Sequence, residues 1–336
     1  MARPLRIQYP GAVYHIMARG NQDQSIFYDD KDRHSFLETL GEACEKTGWA
    51  VHAYVLMGNH YHLLVETPEG NLVDGMKWLQ GTYTQRHNGR HQVSGHLFQG
   101  RYKAVVIDGR SPGYFEMVGT YIHLNPVRAG LIKLGHEPLR SYRWSSYPLY
   151  LKSASQGPLW LRRERVLEGL RLTEKNRRGY EAYIESRGLE LGLKAGRLEL
   201  EEKWRDLRRG WYVGGESFLE KLKEKLGAVL KDKKRESHSG KARSAHGETA
   251  ARELLIEGLT ILNLSRADLA GLPKGAPEKT ALAWWLRERT TVSLRWVGEA
   301  LAMGHYTRVT QAVSRMKRKP GKNLEKLKHR LLKAKG

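Results

Sequence analysis

Trp49 to Glu66 reads WAVHAYVLM-GN-HYHLLVE, two strand-like runs parted by Gly58-Asn59. Both runs are rich in β-branched and aromatic residues, and a two-residue break of that composition predicts a β-hairpin. Upstream, Ala12–Arg19 (AVYHIMAR) predicts another strand, ending at Gly20-Asn21. Between them, Asp30 to Lys46 carries Phe36, Leu37, Leu40 and Ala43 at helical spacing. Downstream, Leu72 to His87 repeats that spacing through Met76, Leu79 and Tyr83. Leu97–Ile107 predicts a fourth strand, and Gly113 to Ala129 a helix ended by Gly130. The order β-α-β-β-α-β-α predicts an α+β domain, a ferredoxin-like antiparallel sheet with helices, over residues 1–150.

Beyond it the composition changes. Residues 151–230 are charged and helical in pattern. Residues 231–247 lose their large apolar side chains, which predicts a basic linker. Residues 248–318 return to helical patterning, interrupted at Gly271-Leu272-Pro273, and 319–336 form a basic tail.

The 336 residues include 58 Lys and Arg against 36 Asp and Glu, a formal charge of +22. Such an excess favours a polyanionic partner, because each phosphate contact releases condensed counterions. Nucleic acid fits better than a membrane, since no apolar run approaches the ~20 residues of a span. Met1 to Pro10 has no apolar signal core, and a cytoplasmic, nucleoid-associated protein is expected. Cys44 is the single cysteine, so no internal disulfide and no thiolate zinc site is available. Any metal must be held by His, carboxylate, amide or water.

Two short segments carry the candidate chemistry. In a strand, alternate side chains share a face, so His60 and His62 project together, away from Tyr61, Leu63 and Val65. Two imidazoles so placed offer a bidentate site for a divalent ion. Glu66 shares that face but stands too far along to be more than an outer partner. The second segment is Thr120 to Gly130, TYIHLNPVRAG. On a helix, Tyr121 and Asn125 lie one turn apart on the same face, so an Asn125 amide oxygen would complete a three-ligand set. His123 points about 200° away from Tyr121 and is not a ligand on this reading. Pro126 predicts a kink or a new segment just after Asn125.

Met57 to Glu66, then Phe98-Gln99-Gly100-Arg101-Tyr102-Lys103, then Tyr121 to Leu131 resemble the REP-associated tyrosine transposases of the single-tyrosine HUH superfamily. The turn Ala18-Arg19-Gly20-Asn21 and Phe27-Tyr28-Asp29-Asp30 add to the resemblance. It implies that His60 and His62 are metal ligands, that Asn125 stands where the third polar ligand does, and that Tyr121 is the nucleophile. It implies a Mg²⁺- or Mn²⁺-dependent enzyme that cuts single-stranded DNA beside hairpin-forming palindromes. Such enzymes form a 5′-phosphotyrosine bond, leave a free 3′-OH, and occur as monomers or homodimers. A phenol is largely un-ionised at neutral pH, and a divalent ion offsets that by polarising the phosphate. No phosphate-binding G-x-x-x-x-G-K-[ST] run is present, consistent with an ATP-independent reaction. Arg19, Asn21, Arg101, Lys103 and Arg128 are candidate DNA contacts from their places near these motifs. The alternative is a DNA- or RNA-binding regulator derived from a transposase that no longer cuts.

In the C-terminal part, a helix beginning at Lys279 is followed by a Ser293-capped helix, Leu294–Ala302. The break Met303-Gly304-His305-Tyr306 leads to Thr307–Lys317. Helix, Gly-containing turn, basic helix predicts a helix-turn-helix. It resembles the C-terminal DNA-binding domain of the bacterial replication initiator, with Gly304-His305-Tyr306 where relatives have Arg-Asp-His. Arg308, Gln311 and Arg315 share one helix face and are candidate contacts to duplex DNA.

Overall fold

The computed structural model describes residues 7–231, 241–290, 292–318 and 320–333. The chain divides into two compact units, residues 1–236 and 237–336.

In the first unit β1 (Ala12–Arg19), α1 (Asp30–Thr47), β2 (Ala50–Leu56), β3 (His60–Thr67), α2 (Leu72–His91) and β4 (Lys103–Ile107) follow in the expected order. The strands lie β2-β3-β1-β4, every neighbouring pair antiparallel, which is the ferredoxin-like arrangement. The β2–β3 hairpin closes on Met57 N–H donating to His60 C=O at 2.8 Å, with Gly58 and Asn59 as its turn. α1 starts where the Asp29 side chain accepts from Asp32 N–H, and ends at Gly48 with φ +70°, a left-handed cap that suits glycine.

Strand alternation divides the sheet into two faces. Tyr14, Ile16, Tyr61, Leu63 and Val65 pack with Phe36, Leu40, Met76, Leu79 and Tyr83 of α1 and α2. On the other face Val13, Leu64, Val105 and Ile107 pack against α3 (Pro112–His123) through Phe115, Val118, Tyr121 and Ile122.

Three expectations change. The fourth strand is only Lys103–Ile107: Phe98 makes a lone bridge to Gly20, and Gly100 turns the chain at φ +62°. The helix predicted over Gly113 to Ala129 breaks at Leu124, so the new segment expected from Pro126, a short α4 (Asn125–Arg128), starts at Asn125 rather than after it. Pro126 lacks the N–H for an α-helical bond and its ring crowds the carbonyl four residues back, so α3 stops before it. The sheet is not wholly antiparallel. β5 (Tyr212–Val213) joins β4 in parallel, giving five strands in a mixed sheet.

That strand belongs to a segment with no independent core. α5 (Tyr147–Tyr150), α6 (Glu164–Glu168), α7 (Arg177–Gly192), α8 (Lys194–Lys203), α9 (Arg205–Arg209) and α10 (Glu216–Lys231) follow α4. Val166, Tyr180, Ile184, Leu200, Trp204 and Leu207 extend the α3-side core. Phe218 and Leu222 join the core on the other face. The buried residues described between 151 and 224 therefore share the cores of the N-terminal sheet.

The second unit is helical: α11 (Lys241–Leu262), α12 (Arg266–Gly271), α13 (Pro277–Arg289), α14 (Leu294–Ala300), α15 (Thr307–Arg318) and α16 (Lys322–Lys333). Ser293 caps α14 by accepting from Trp296 N–H. The buried Lys279 ammonium donates to the carbonyls of Leu272 and Ala302, tying the turn before α13 to the end of α14. Of the predicted linker, 241–247 lie in α11 and 232–240 fall outside the described residues. The basic tail is not simply an arm: Leu324, Leu327 and Leu331 of α16, at helical spacing, enter the core with Trp285, Val309 and Met316. Among the described residues, no helix is long and apolar enough to cross a membrane.

Candidate active site

β1, β3 and α3 bring three rings together on the α3 side of the sheet. In the β1–β3 register His60 faces Arg19, His62 faces Met17 and Leu64 faces His15. His15 thereby sits diagonally beside His62, its Nε2 2.9 Å from His62 Nδ1. The Tyr121 ring meets both edge-on, with centroids 5.6 Å from His62 and 5.3 Å from His15. The sequence-predicted histidine pair and tyrosine thus converge, although they come from elements some 60 residues apart.

The hydrogen bonds fix what the two histidines offer. Asn59 donates its amide N–H to Asp23 C=O, so its amide oxygen accepts from His60 Nδ1–H at 2.7 Å. His60 Nε2 is then an unprotonated lone pair. If His62 presents Nε2 likewise, its Nδ1–H donates to His15 Nε2. The rings of His60 and His62 stand 5.2 Å apart and nearly perpendicular. Burial, with Arg19 and Arg128 nearby, pushes the His60 pKa down to about 4. Burial and then the adjacent His15 hold His62 well below its ordinary value. Burial likewise takes His15 to about 3. All three rings are neutral at pH 7, the form in which imidazole binds a metal.

This donor set fits one divalent ion through two imidazole nitrogens. Asn125, one turn beyond Tyr121, bonds back to α3. Its Nδ2 donates to the Tyr121 carbonyl at 3.0 Å, and its Oδ1 lies 3.5 Å from Arg128 Nη1. Glu66 is elsewhere: it pairs with His52 at 3.2 Å and Arg165 at 2.9 Å. His123 is no ligand, being buried between the Tyr180 hydroxyl and Ser146 Oγ at 2.7 Å each.

Tyr121 is only 2% exposed, with Trp204 and Arg128 lying against its ring. Trp204, between α8 and α9, meets that ring edge-on at 5.4 Å. Arg128 lies over both rings, 4.7 Å from that of Tyr121 and 5.5 Å from that of Trp204. Glu201 anchors Arg128 at 3.0 Å and Arg208 at 2.6 Å. The Lys103 ammonium donates to the Arg208 carbonyl.

Two of the candidate DNA contacts are therefore engaged internally, Arg128 by Glu201 and Lys103 by the α9 backbone. Arg19 pairs with Asp23 at 3.2 Å and is half exposed. Asn21 N–H donates to Leu97 C=O, and Arg101 is exposed. In the second unit Arg308, Gln311 and Arg315 form an exposed face of α15, beside the stripe of buried Val309, Ala312 and Met316. Arg308 also donates to the Met303 carbonyl at 3.2 Å.

Sequence reading missed His15, Trp204 and Glu201. His15 was visible inside AVYHIMAR, but only the strand register places it against His62.

Residues 8–125 match the family model described as Transposase IS200 like, a span that holds both histidines, Tyr121 and Asn125 and is roughly a third of the chain. That match supports a transposase-type DNA-processing function. A solved structure of a REP-associated tyrosine transposase bound to a REP hairpin is similar at 16% identity and a TM-score of 0.38, over 47% of this chain and 88% of that one. No curated protein matches the chain.

Proposed function

We propose that the first unit is a metal-dependent single-strand DNA endonuclease and strand transferase in which Tyr121 is the nucleophile. The observation that carries this reading is the placing of Tyr121 against His62, beside a histidine whose Nδ1–H is already bonded and whose Nε2 is free. His60 and His62 would hold Mg²⁺ or Mn²⁺, and the bound ion would supply charge stabilisation at the scissile phosphate. In the cut, the Tyr121 oxygen forms a bond to phosphorus and the P–O3′ bond breaks. The phenol proton passes to solvent, and the departing 3′ oxygen takes one up as a free hydroxyl. Rejoining is the reverse attack by a 3′-OH, so no nucleotide is consumed.

The charge of +22 and the family match favour DNA as substrate, and the motif resemblance favours hairpin-forming single strands. In the second unit the Arg308–Gln311–Arg315 face would bind duplex DNA. Asn125 and Arg128 would change partners when DNA displaces Trp204 and Glu201, the amide then being free to reach the ion. A second reading, a DNA-binding regulator that does not cut, is favoured by the burial of Tyr121 under Trp204.

The test is cleavage of end-labelled single-stranded hairpins by the full chain with Mn²⁺, with Mg²⁺ and with chelator. Cleavage that needs the ion and is lost in His60→Ala and His62→Ala supports the enzyme. Hairpin binding without cleavage under every condition supports the regulator.

A further inference from the structure

On the far side of the sheet from Tyr121, α1 and α2 bring together a second group of metal-binding side chains. His87 and His91 are four residues apart on α2, so their imidazoles project one turn apart on one face. Their ring centroids are 4.5 Å apart. Asp32, in the first turn of α1, places its carboxylate oxygens 2.9 and 3.0 Å from His91 Nε2. One ligand atom from each of the three lies within 4.8 Å of the others. The Tyr28 ring closes one side, edge-on to His87 at 5.1 Å and to His91 at 4.7 Å.

An ordinary ion pair accounts for part of this group. Asp32 accepts from Tyr28 N–H and from Arg90, and Arg90 also holds Asp29. That cluster gives Asp32 and His91 a role and leaves His87 without one. His87 is 3% exposed, and neither ring nitrogen makes a hydrogen bond with proper geometry. The neighbouring Asn88, whose side chain comes near the ring, gives its amide to the Gly95 carbonyl at 3.1 Å. Burying an imidazole with both nitrogens unpartnered is costly, and proteins rarely do so without a ligand.

We propose that Asp32, His87 and His91 form a divalent transition-metal site, distinct from the candidate active site, that ties α1 to α2. Two imidazole nitrogens and one carboxylate oxygen suit zinc, with a water as fourth ligand. Zinc requires its nitrogens at ~2.0–2.1 Å, and the three ligand atoms already lie within 4.8 Å of one another. Arg90 keeps its pairing to Asp29 when Asp32 turns to the ion. The site explains the orphaned His87, and its existence does not depend on the chemistry at Tyr121.

The experiment uses untagged full-length protein carrying His60→Ala and His62→Ala, so that the candidate active-site ligands are absent. Zinc is titrated in competition with a chromophoric chelator, and thermal unfolding is followed with and without the ion. One equivalent of zinc bound, with Tm raised by several degrees, is expected. Adding His87→Phe should abolish both effects while leaving the zinc-free Tm equal or higher, because a buried unpartnered ring is replaced by an apolar one. His91→Gln and His87→Gln serve if the phenylalanine variant does not fold. No bound zinc in the double-alanine background overturns the site, as does undiminished zinc binding after loss of His87.

Discussion

His15 Nε2 and His62 Nδ1 lie 2.9 Å apart, with their rings stacked at 5.1 Å. A histidine that accepts from the inner nitrogen of a metal-binding histidine fixes its tautomer and orientation. On the proposed function, in which His62 offers Nε2 to the ion, His15 is the residue that presents it.

Replacing His15 by Leu removes that acceptor while keeping an apolar filling. Mn²⁺ affinity should fall about 10- to 100-fold, the usual effect of losing such an outer partner. Cleavage measured against Mn²⁺ concentration reads this as a shift of the half-saturation point, with activity largely regained at high Mn²⁺. An unchanged metal dependence would mean that His15 only packs.

The cover over Tyr121 makes a second prediction. Glu201 holds both Arg128 and Arg208, so Glu201→Gln loosens the cover without hollowing the core beneath it. Cleavage by this variant should be several-fold faster than by wild type, with little change in Tm. Trp204→Ala should also uncover Tyr121, at a stability loss of about 3–5 kcal/mol typical of buried tryptophan. Slower cleavage in Glu201→Gln would show that the Arg128–Glu201 pair assists the reaction.

Acid should destabilise the first unit through His123. Burial lowers its pKa from 6.5 to about 3, so the folded protein keeps it neutral where the unfolded chain takes up a proton. Its contribution is whole above pH 6.5 and is eroded as pH falls towards 3. The loss is about 1.4 kcal/mol per pH unit in that window, or about 2 kcal/mol by about pH 5. Urea unfolding at about pH 7.5 and about pH 5 should therefore show a smaller drop for His123→Gln than for wild type, by about that amount. Equal drops would contradict the neutral assignment.

For the second unit, Arg308→Ala with Arg315→Ala should weaken duplex DNA binding and flatten its salt dependence. The logarithmic slope should fall by about 0.9 for each phosphate no longer neutralised. Both residues are exposed, and the one hydrogen bond lost is that of Arg308 to the Met303 carbonyl, so unfolding should change little. An unaltered slope would remove this face of α15 from the DNA interface.

The sheet and its first two helices were legible because each strand alternates between two cores and each helix carries one apolar stripe. The hairpin at Gly58-Asn59 follows from that pattern, whereas the meeting of His60, His62 and Tyr121 was implied by the resemblance of their motifs to a known family. Less legible was whatever depended on partners distant in sequence. Leu97–Tyr102 has a strand's composition, yet Gly100 turns it and only a bridge to Gly20 forms. β5 is two residues long and exists because β4 offers it an edge. Trp204 stands in the charged run ELEEKWRDL, where nothing local marks it as the lid of a buried tyrosine. Asn125 has the spacing of a ligand, and its amide N–H turns back to the Tyr121 carbonyl. In α16 the leucines at helical spacing were present in the sequence, masked by the lysines between them.

Covalent joining of Tyr121 to DNA is the central claim. The direct measurement is to incubate the full chain with Mn²⁺ and a single-stranded hairpin, digest with protease and nuclease, and map the nucleotide-bearing peptide by mass spectrometry. A 5′-phosphodeoxynucleotide on Tyr121, absent from Tyr121→Phe although the variant still binds the hairpin, is the predicted result. Cleavage that persists in Tyr121→Phe, or an adduct on another residue, would contradict it.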